Sequence, residues 1–299
     1  MKSQTCGELV ESIDRRHFLQ ASGLVLAGTA APALLGRLSL ANAGEFTDRI
    51  KKAVGFKMIE GDLSVEDKLK LVKEVGFEGV ETPSHLLDKE TPEPKVMARA
   101  SEKVGVAVHG VVNSSHPDLK GAIDEAALYG ATSVLYCVRP DPKGSYMENY
   151  RRTQATIRQA IPYAEKKHIQ ILIENIWYTF LIEPLTMARY IDELDSPYVK
   201  AYFDVGNVVR WGWPEHWIEV LGKRIIKIHV KEYNLDVAMN EGMRKGFDFP
   251  MGQGSINWDR VREELKKIDY RGWATAEVDG GDRQRLAEIS QQMNRVLDL

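Results

Sequence analysis

The stretch IIKIHVKEY, residues 225–233, has the pattern of a β-strand with an unusual polar face. Side chains alternate along a strand, so Ile226, Ile228 and Val230 share one face while Lys227, His229 and Lys231 share the other. Alone, this reads as a strand half open to water. The surrounding sequence predicts instead a parallel sheet covered on both sides, whose strands should be apolar throughout. The polar face must therefore point into something other than bulk solvent.

Working outward, short apolar runs alternate with charged amphipathic segments. The runs are AVGFKMI (53–59), FEGVETP (77–83), VAVHGVV (106–112), TSVLYCV (132–138), IQILIEN (169–175), VKAYFDVGN (199–207), IIKIHVKEY and WATAEVD (273–279). Between them lie helix-like segments such as VEDKLKLVKEVG (65–76), YRRTQATIRQAIPYAEKKH (150–168) and WDRVREELKKIDYRG (258–272). DRQRLAEISQQMNRVLDL (282–299) closes the chain. Several of these stop at Gly or Pro, as helix ends do. Eight strand–helix units in this length predict an α/β fold, a (β/α)8 TIM barrel, as a single domain over residues 44–299. A doubly wound open sheet is the alternative. It usually carries a Gly-rich loop after its first strand, and KMIEGDLSVED has one Gly there.

A barrel gives the polar face a destination, because one face of every strand lines the interior and sites form at the strands' C-terminal ends. The same alternation in the last four strands puts Glu174, Asp204, His229 and Glu277 together at the mouth. Three carboxylates and an imidazole this close would repel or lose charge unless a cation sat among them. Three oxygens and one nitrogen suit one divalent ion, with Mn²⁺ the first choice and Mg²⁺ or Co²⁺ as alternatives. Structural zinc favours Cys and more His.

The motifs LIENIW, YFDVGNV, IHVKEY, MGQGSINW and AEVDGG, in this order, resemble the xylose-isomerase-like superfamily. The closer resemblance is to sugar isomerases and epimerases of the tagatose 3-epimerase, hydroxypyruvate isomerase and ribulose-phosphate 3-epimerase types, from about residue 53 to the end. The resemblance implies metal ligation by Glu174, Asp204, His229 and Glu277, with Glu174 and Glu277 also acting as the catalytic acid/base pair. Asn207 stands where tagatose-type epimerases often carry His, and Gln253 where Glu is frequent, so the resemblance leaves the sugar open.

The expected chemistry is proton transfer beside a polarised carbonyl, through an enediolate. Return of the proton to the opposite face gives epimerisation, and return to the neighbouring carbon gives isomerisation. Two other functions compete. One is a metal-dependent lyase or hydrolase acting on oxidised (keto) glycosides at the same site. The other is a non-catalytic sugar-binding protein. Candidate substrate-binding residues are Glu81 and His109, read as ending the second and third strands, with Asn207, Lys231, Trp177 and Trp211. For His109 a hydrogen bond within the barrel wall is an equal reading, and for Lys231 an ion pair with Asp204 or Glu277. Trp177 and Trp211 could stack on a sugar, or pack loops or a subunit interface. A homodimer or homotetramer is left open.

The first 43 residues read separately. Arg15 and Arg16 precede Phe18 and Leu19, then the apolar run GLVLAGTAAPALLG and the small-residue site ANA (41–43). This is the build of a secretory signal of the Tat type, with cleavage expected after Ala43 and a periplasmic or extracellular product. Gly, Pro and Arg interrupt the run, so no stable membrane association is expected after cleavage. Cys6 falls in this segment, leaving Cys137 alone in an apolar strand and read as a small buried hydrophobe. The chain has 299 residues, 28% of them charged, with a formal net charge of -3. That balance gives no electrostatic case for nucleic acid, and the expected partner is a small sugar.

Overall fold

A computed structural model describes residues 44–177 and 179–299. The signal-peptide reading of residues 1–43 lies outside the described residues. Eight strands form the inner wall: β1 (Ile50–Gly55), β2 (Gly79–Pro83), β3 (Ala107–Ser114), β4 (Ser133–Cys137), β5 (Gln170–Glu174), β6 (Val199–Asp204), β7 (Ile225–Val230) and β8 (Gly272–Ala276). All pair in parallel, each with its sequence neighbour, and β1 also pairs with β8 to close the barrel. The helices are α1 (Val65–Glu74), α2 (Pro94–Val104), α3 (Leu119–Tyr129), α4 (Tyr146–Lys167), α5 (Pro184–Asp192), α6 (Pro214–Leu221), α7 (Leu235–Glu241), α8 (Trp258–Lys267) and α9 (Arg283–Leu297). None among the described residues is long and apolar enough to cross a membrane.

Local chemistry sets the helix ends. Ser145 accepts a bond from the Glu148 amide while the Glu148 carboxylate accepts one from the Ser145 amide, so α4 starts on a reciprocal cap. α2 stops where Gly105 turns left-handed at φ 69°, a conformation that a Cβ would strain. Between helices and sheet, Ile171, Ile173, Phe203, Ile228 and Val230 are fully buried. Each such side chain contributes roughly 1.5–3 kcal/mol on leaving water.

Several elements differ from the expectation. Phe56–Met58 is a 3-10 turn rather than strand. The pattern in residues 225–233 breaks at Ile226. Ile225 joins the main core, whereas Ile226 packs against an inner cluster of Leu135, Cys137, Leu172 and Tyr202. A register shift opposite Ala201 and Tyr202 skips Ile226, and alternation holds from Lys227 onward. α6 and α7 lack a sequence counterpart, since eight and seven residues are too few to display a helical repeat.

Candidate active site

Glu174 ends β5, Asp204 ends β6, His229 is the penultimate residue of β7, and Glu277 follows β8. Strand alternation turns all four inward, and one donor atom from each lies within 4.8 Å of the others. The three carboxylates converge on one nitrogen. His229 Nδ1 is 2.9 Å from Glu174 Oε1, 3.3 Å from Glu277 Oε2 and 3.7 Å from Asp204 Oδ2. The opposite nitrogen, Nε2, lies 2.8 Å from Glu81 Oε2. Glu174, Asp204 and His229 are buried, while the Glu277 side chain is half exposed at the rim.

Lys231 completes the cluster, with Nζ 2.8 Å from Asp204 Oδ2 and 2.5 Å from Glu277 Oε2. Burial opposes charge on Lys231, but Asp204, Glu277 and Glu174 raise its pKa and keep it protonated. Burial pushes Asp204 up, against the pull of Lys231 and with the repulsion of Glu277 and Glu174 behind it. At Glu277 burial also acts upward, yet Lys231 and His229 bring the carboxyl below its usual range. Burial disfavours charge on His229, but Glu277, Glu174 and Glu81 more than offset it and hold the imidazole well above its ordinary pKa.

These are marks of excess negative charge. Around His229 Nδ1 the three carboxyl groups of Glu174, Asp204 and Glu277 face one ammonium group, that of Lys231. A divalent cation would offset the imbalance. The donor set of hard oxygens and one imidazole nitrogen fits Mn²⁺, Mg²⁺ or Co²⁺. The residues that could hold it are Glu174, Asp204, His229 and Glu277.

The surroundings hold the ligands in place. The Cys137 thiol donates to Glu174 Oε2 at 3.2 Å, and burial with the nearby Glu174 charge raises its pKa, as expected of an inert buried thiol. Asn175 bonds Asp204 through both its amide oxygen and nitrogen, and the Asn207 amide donates to Asp204 Oδ1 at 2.8 Å. Lys231 also donates to Asn207 Oδ1. Above the cluster opens a cavity of about 540 Å³ lined by Trp177, Asn207, Lys231, Arg244, Phe247, Asp248, Glu277, Val278 and Asp279.

Of the substrate-binding candidates, Asn207, Lys231 and Trp177 face this cavity. Glu81 and His109 do not end their strands. β2 continues to Pro83 and β3 to Ser114, so both side chains lie deeper, with Glu81 against His229. His109 sits in the wall, stacked on Trp273 at 4.6 Å, its Nε2 2.9 Å from Thr275 Oγ1. Burial, with Lys227 and His229 nearby, holds it well below the ordinary imidazole pKa and so neutral. Trp211 is 41% exposed, lies under the Arg210 guanidinium and does not line the cavity. Arg244 and Phe247 line it, although nothing in the sequence singles them out. They belong to a 3-10 turn, Met243–Phe247, in a connection with no periodic pattern to read.

Glu232 is another residue that the sequence does not flag. Fully buried, it accepts from the amides of Gly252 (2.7 Å), Tyr233 (3.1 Å) and Ile256 (3.3 Å) and from Trp258 Nε1 (3.0 Å). It thereby latches the loop at 250–257 to the end of β7. A Cβ at Gly254 would meet this carboxylate at 2.5 Å, so only Gly fits there.

Known proteins share this framework. The chain is 25% identical over 242 residues to a putative L-ribulose-5-phosphate 3-epimerase of Escherichia coli, covering 72% of this chain and 84% of that one. The fold is shared with a D-allulose 3-epimerase from Methylomonas sp., at TM-score 0.67 and 17% identity over 83% of this chain and 98% of that one. It is shared too with a 3-keto-D-glucoside 4-epimerase from E. coli, at TM-score 0.65 and 14% identity over 84% and 100%. The family model described as a xylose isomerase-like TIM barrel matches residues 69–298, and the chain belongs to that family.

Proposed function

We propose that the protein is a divalent-cation-dependent isomerase or epimerase of a ketose or keto-sugar, with Glu174 and Glu277 moving the substrate's proton. The observation that carries this reading is the convergence of Glu174, Asp204, His229 and Glu277, with Glu277 and the adjoining Lys231 lining a cavity of about 540 Å³. The names of the relatives support it, since each describes inversion at one carbon of a sugar.

Glu174, Asp204, His229 and Glu277 would hold a divalent cation, which would supply polarisation of the substrate carbonyl and stabilisation of the charge left when the neighbouring proton departs. The protein supplies the rest. In strand order Glu174 and Glu277 flank Asp204 and His229, so they approach a substrate over the cluster from two sides. One carboxylate takes the proton from the carbon beside the carbonyl, and the other returns a proton from the opposite face. Cys137 occupies Glu174 Oε2 and leaves Oε1 directed at the cluster. The Lys231 ammonium is placed to hold a substrate oxygen, and Trp177 and Phe247, 6.0 Å apart edge to face, wall the cavity above.

Removing bound cations with a chelator should abolish epimerisation across a panel of ketoses, and Mn²⁺ should restore it. Full activity in protein shown by elemental analysis to be metal-free would refute the reading. We also propose that the chain is exported by a Tat-type route, on the strength of Arg15, Arg16 and the ANA site.

A further inference from the structure

We infer that Glu81 is a positioning residue for His229. It holds the ring so that Nδ1, not Nε2, faces the three carboxylates, and a buried hydrogen-bond chain through Tyr202 and Thr275 keeps Glu81 itself in place. This rests on the reading of the cluster as a cation site.

An imidazole can offer either nitrogen to a cation, and the partner of the other nitrogen decides which. Here Nε2 meets Glu81 Oε2 at 2.8 Å. The Tyr202 hydroxyl donates to the same oxygen at 3.3 Å and lies 3.0 Å from Thr275 Oγ1. Thr275 in turn meets His109 Nε2, and the Lys227 ammonium donates to the His109 carbonyl. The chain thus links β7, β2, β6, β8 and β3 across the interior, and every member is buried. The Tyr202 ring also packs on the His229 ring, 4.3 Å between centroids.

Branched aliphatic side chains usually dominate a barrel interior of this type. Replacing part of it with a polar chain is costly, and here the cost is only partly met, since Glu81 Oε1 and His109 Nδ1 are buried without a hydrogen-bond partner while Glu81 Oε2 is held by both His229 and Tyr202. The backbone makes room for it. A Cβ at Gly110 would stand 2.8 Å from Glu81 Oε1 and 3.3 Å from Lys227 Nζ. A carboxylate serves better than a neutral acceptor, because it fixes the proton on Nε2 and makes Nδ1 a stronger donor to a cation.

The test uses Mn²⁺ affinity by calorimetry and ¹⁵N-histidine NMR of Mg²⁺-loaded protein. Glu81→Ala should weaken Mn²⁺ binding about 10–100-fold. The isosteric Glu81→Gln, which still accepts from Nε2–H, should fall between it and the wild type. Tyr202→Phe should weaken binding less than either. The wild type should show a downfield Nε2–H on His229, moved upfield in Glu81→Gln and lost in Glu81→Ala. A merely structural Glu81 would alter melting temperature without this ordered change. Unaltered Mn²⁺ affinity in folded Glu81→Gln and Glu81→Ala, or an Nδ1-protonated His229 in the loaded wild type, overturns the inference while leaving the cation site standing. Wild type that binds no divalent cation overturns both.

Discussion

Lys231 Nζ stands 2.8 Å from Asp204 Oδ2, so a protein cation already leans on a carboxylate that the proposed dication would share. The two positive charges repel. Lys231→Met should therefore bind Mn²⁺ more tightly, by roughly tenfold after solvent screening. Turnover should nevertheless fall, because the group placed to hold a substrate oxygen is gone. Calorimetry and steady-state kinetics on one preparation separate the two effects. Weaker Mn²⁺ binding in this variant would contradict the assigned role.

The Glu232 latch makes a stability prediction independent of catalysis. Glu232→Ala leaves four buried donors without their acceptor, three amides and the Trp258 indole. The expected loss is about 3 kcal/mol. Urea unfolding should show it, and amide exchange should accelerate first at 250–257. A loss below about 0.5 kcal/mol, within the usual range for surface changes, would mean the carboxylate is not holding the loop.

Lys52 predicts a pH dependence at alkaline pH. Buried behind α9, where it donates to the Ser290 carbonyl and Asn294 Oδ1, it has its pKa lowered to about 8 by burial, against the raising pull of Glu78. Between that value and the ordinary lysine value the unfolded chain binds more protons than the folded one, so stability rises with pH. The gain from about pH 8 to about pH 10 should be of the order of 1–2 kcal/mol. Above that, buried tyrosines with raised pKa, such as Tyr190 and Tyr270, work in the opposite direction. In Lys52→Met this gain should disappear, as read by urea midpoints at the two pH values. An equal gain in the variant would assign it to other groups.

The export proposal expects a mature chain beginning at Gly44. N-terminal sequencing of protein from the native host decides it. A soluble cytoplasmic product still beginning at Met1 would remove the proposal.

Much of the cluster is legible in the sequence because strand alternation is a strict period of two. Once four strand ends are located, Glu174, Asp204, His229 and Glu277 have to share the interior. What lies deeper is not legible. Glu81 and His229 meet across the barrel, 148 residues apart in the chain, and no local pattern announces a contact across an enclosed interior. A register shift between Val80 and Glu81, where pairing passes from Val108 to Gly110 and skips His109, also disturbs the depth at which Glu81 and His109 sit. Strand alternation alone therefore places both at the mouth, too high in the barrel. Arg244 and Phe247 escape a sequence reading because a connection without periodicity carries no directional signal. Trp211 lies outside the cavity lining, since a loop aromatic shows its chemistry in the sequence but not its heading.

Solvent deuterium reports on proton transfer by Glu174 and Glu277. With excess Mn²⁺ in D₂O, the wild type should epimerise a ketose and label the inverted carbon. Glu174→Gln and Glu277→Gln should each lose at least 10²–10⁴-fold in turnover, the worth of a general acid or base, with weakened cation ligation adding to it. At least one of them should still exchange deuterium into the substrate from its remaining carboxylate while forming little epimer. Near-normal epimerisation by either variant would contradict the account, because it would leave that residue a ligand with no part in moving the proton.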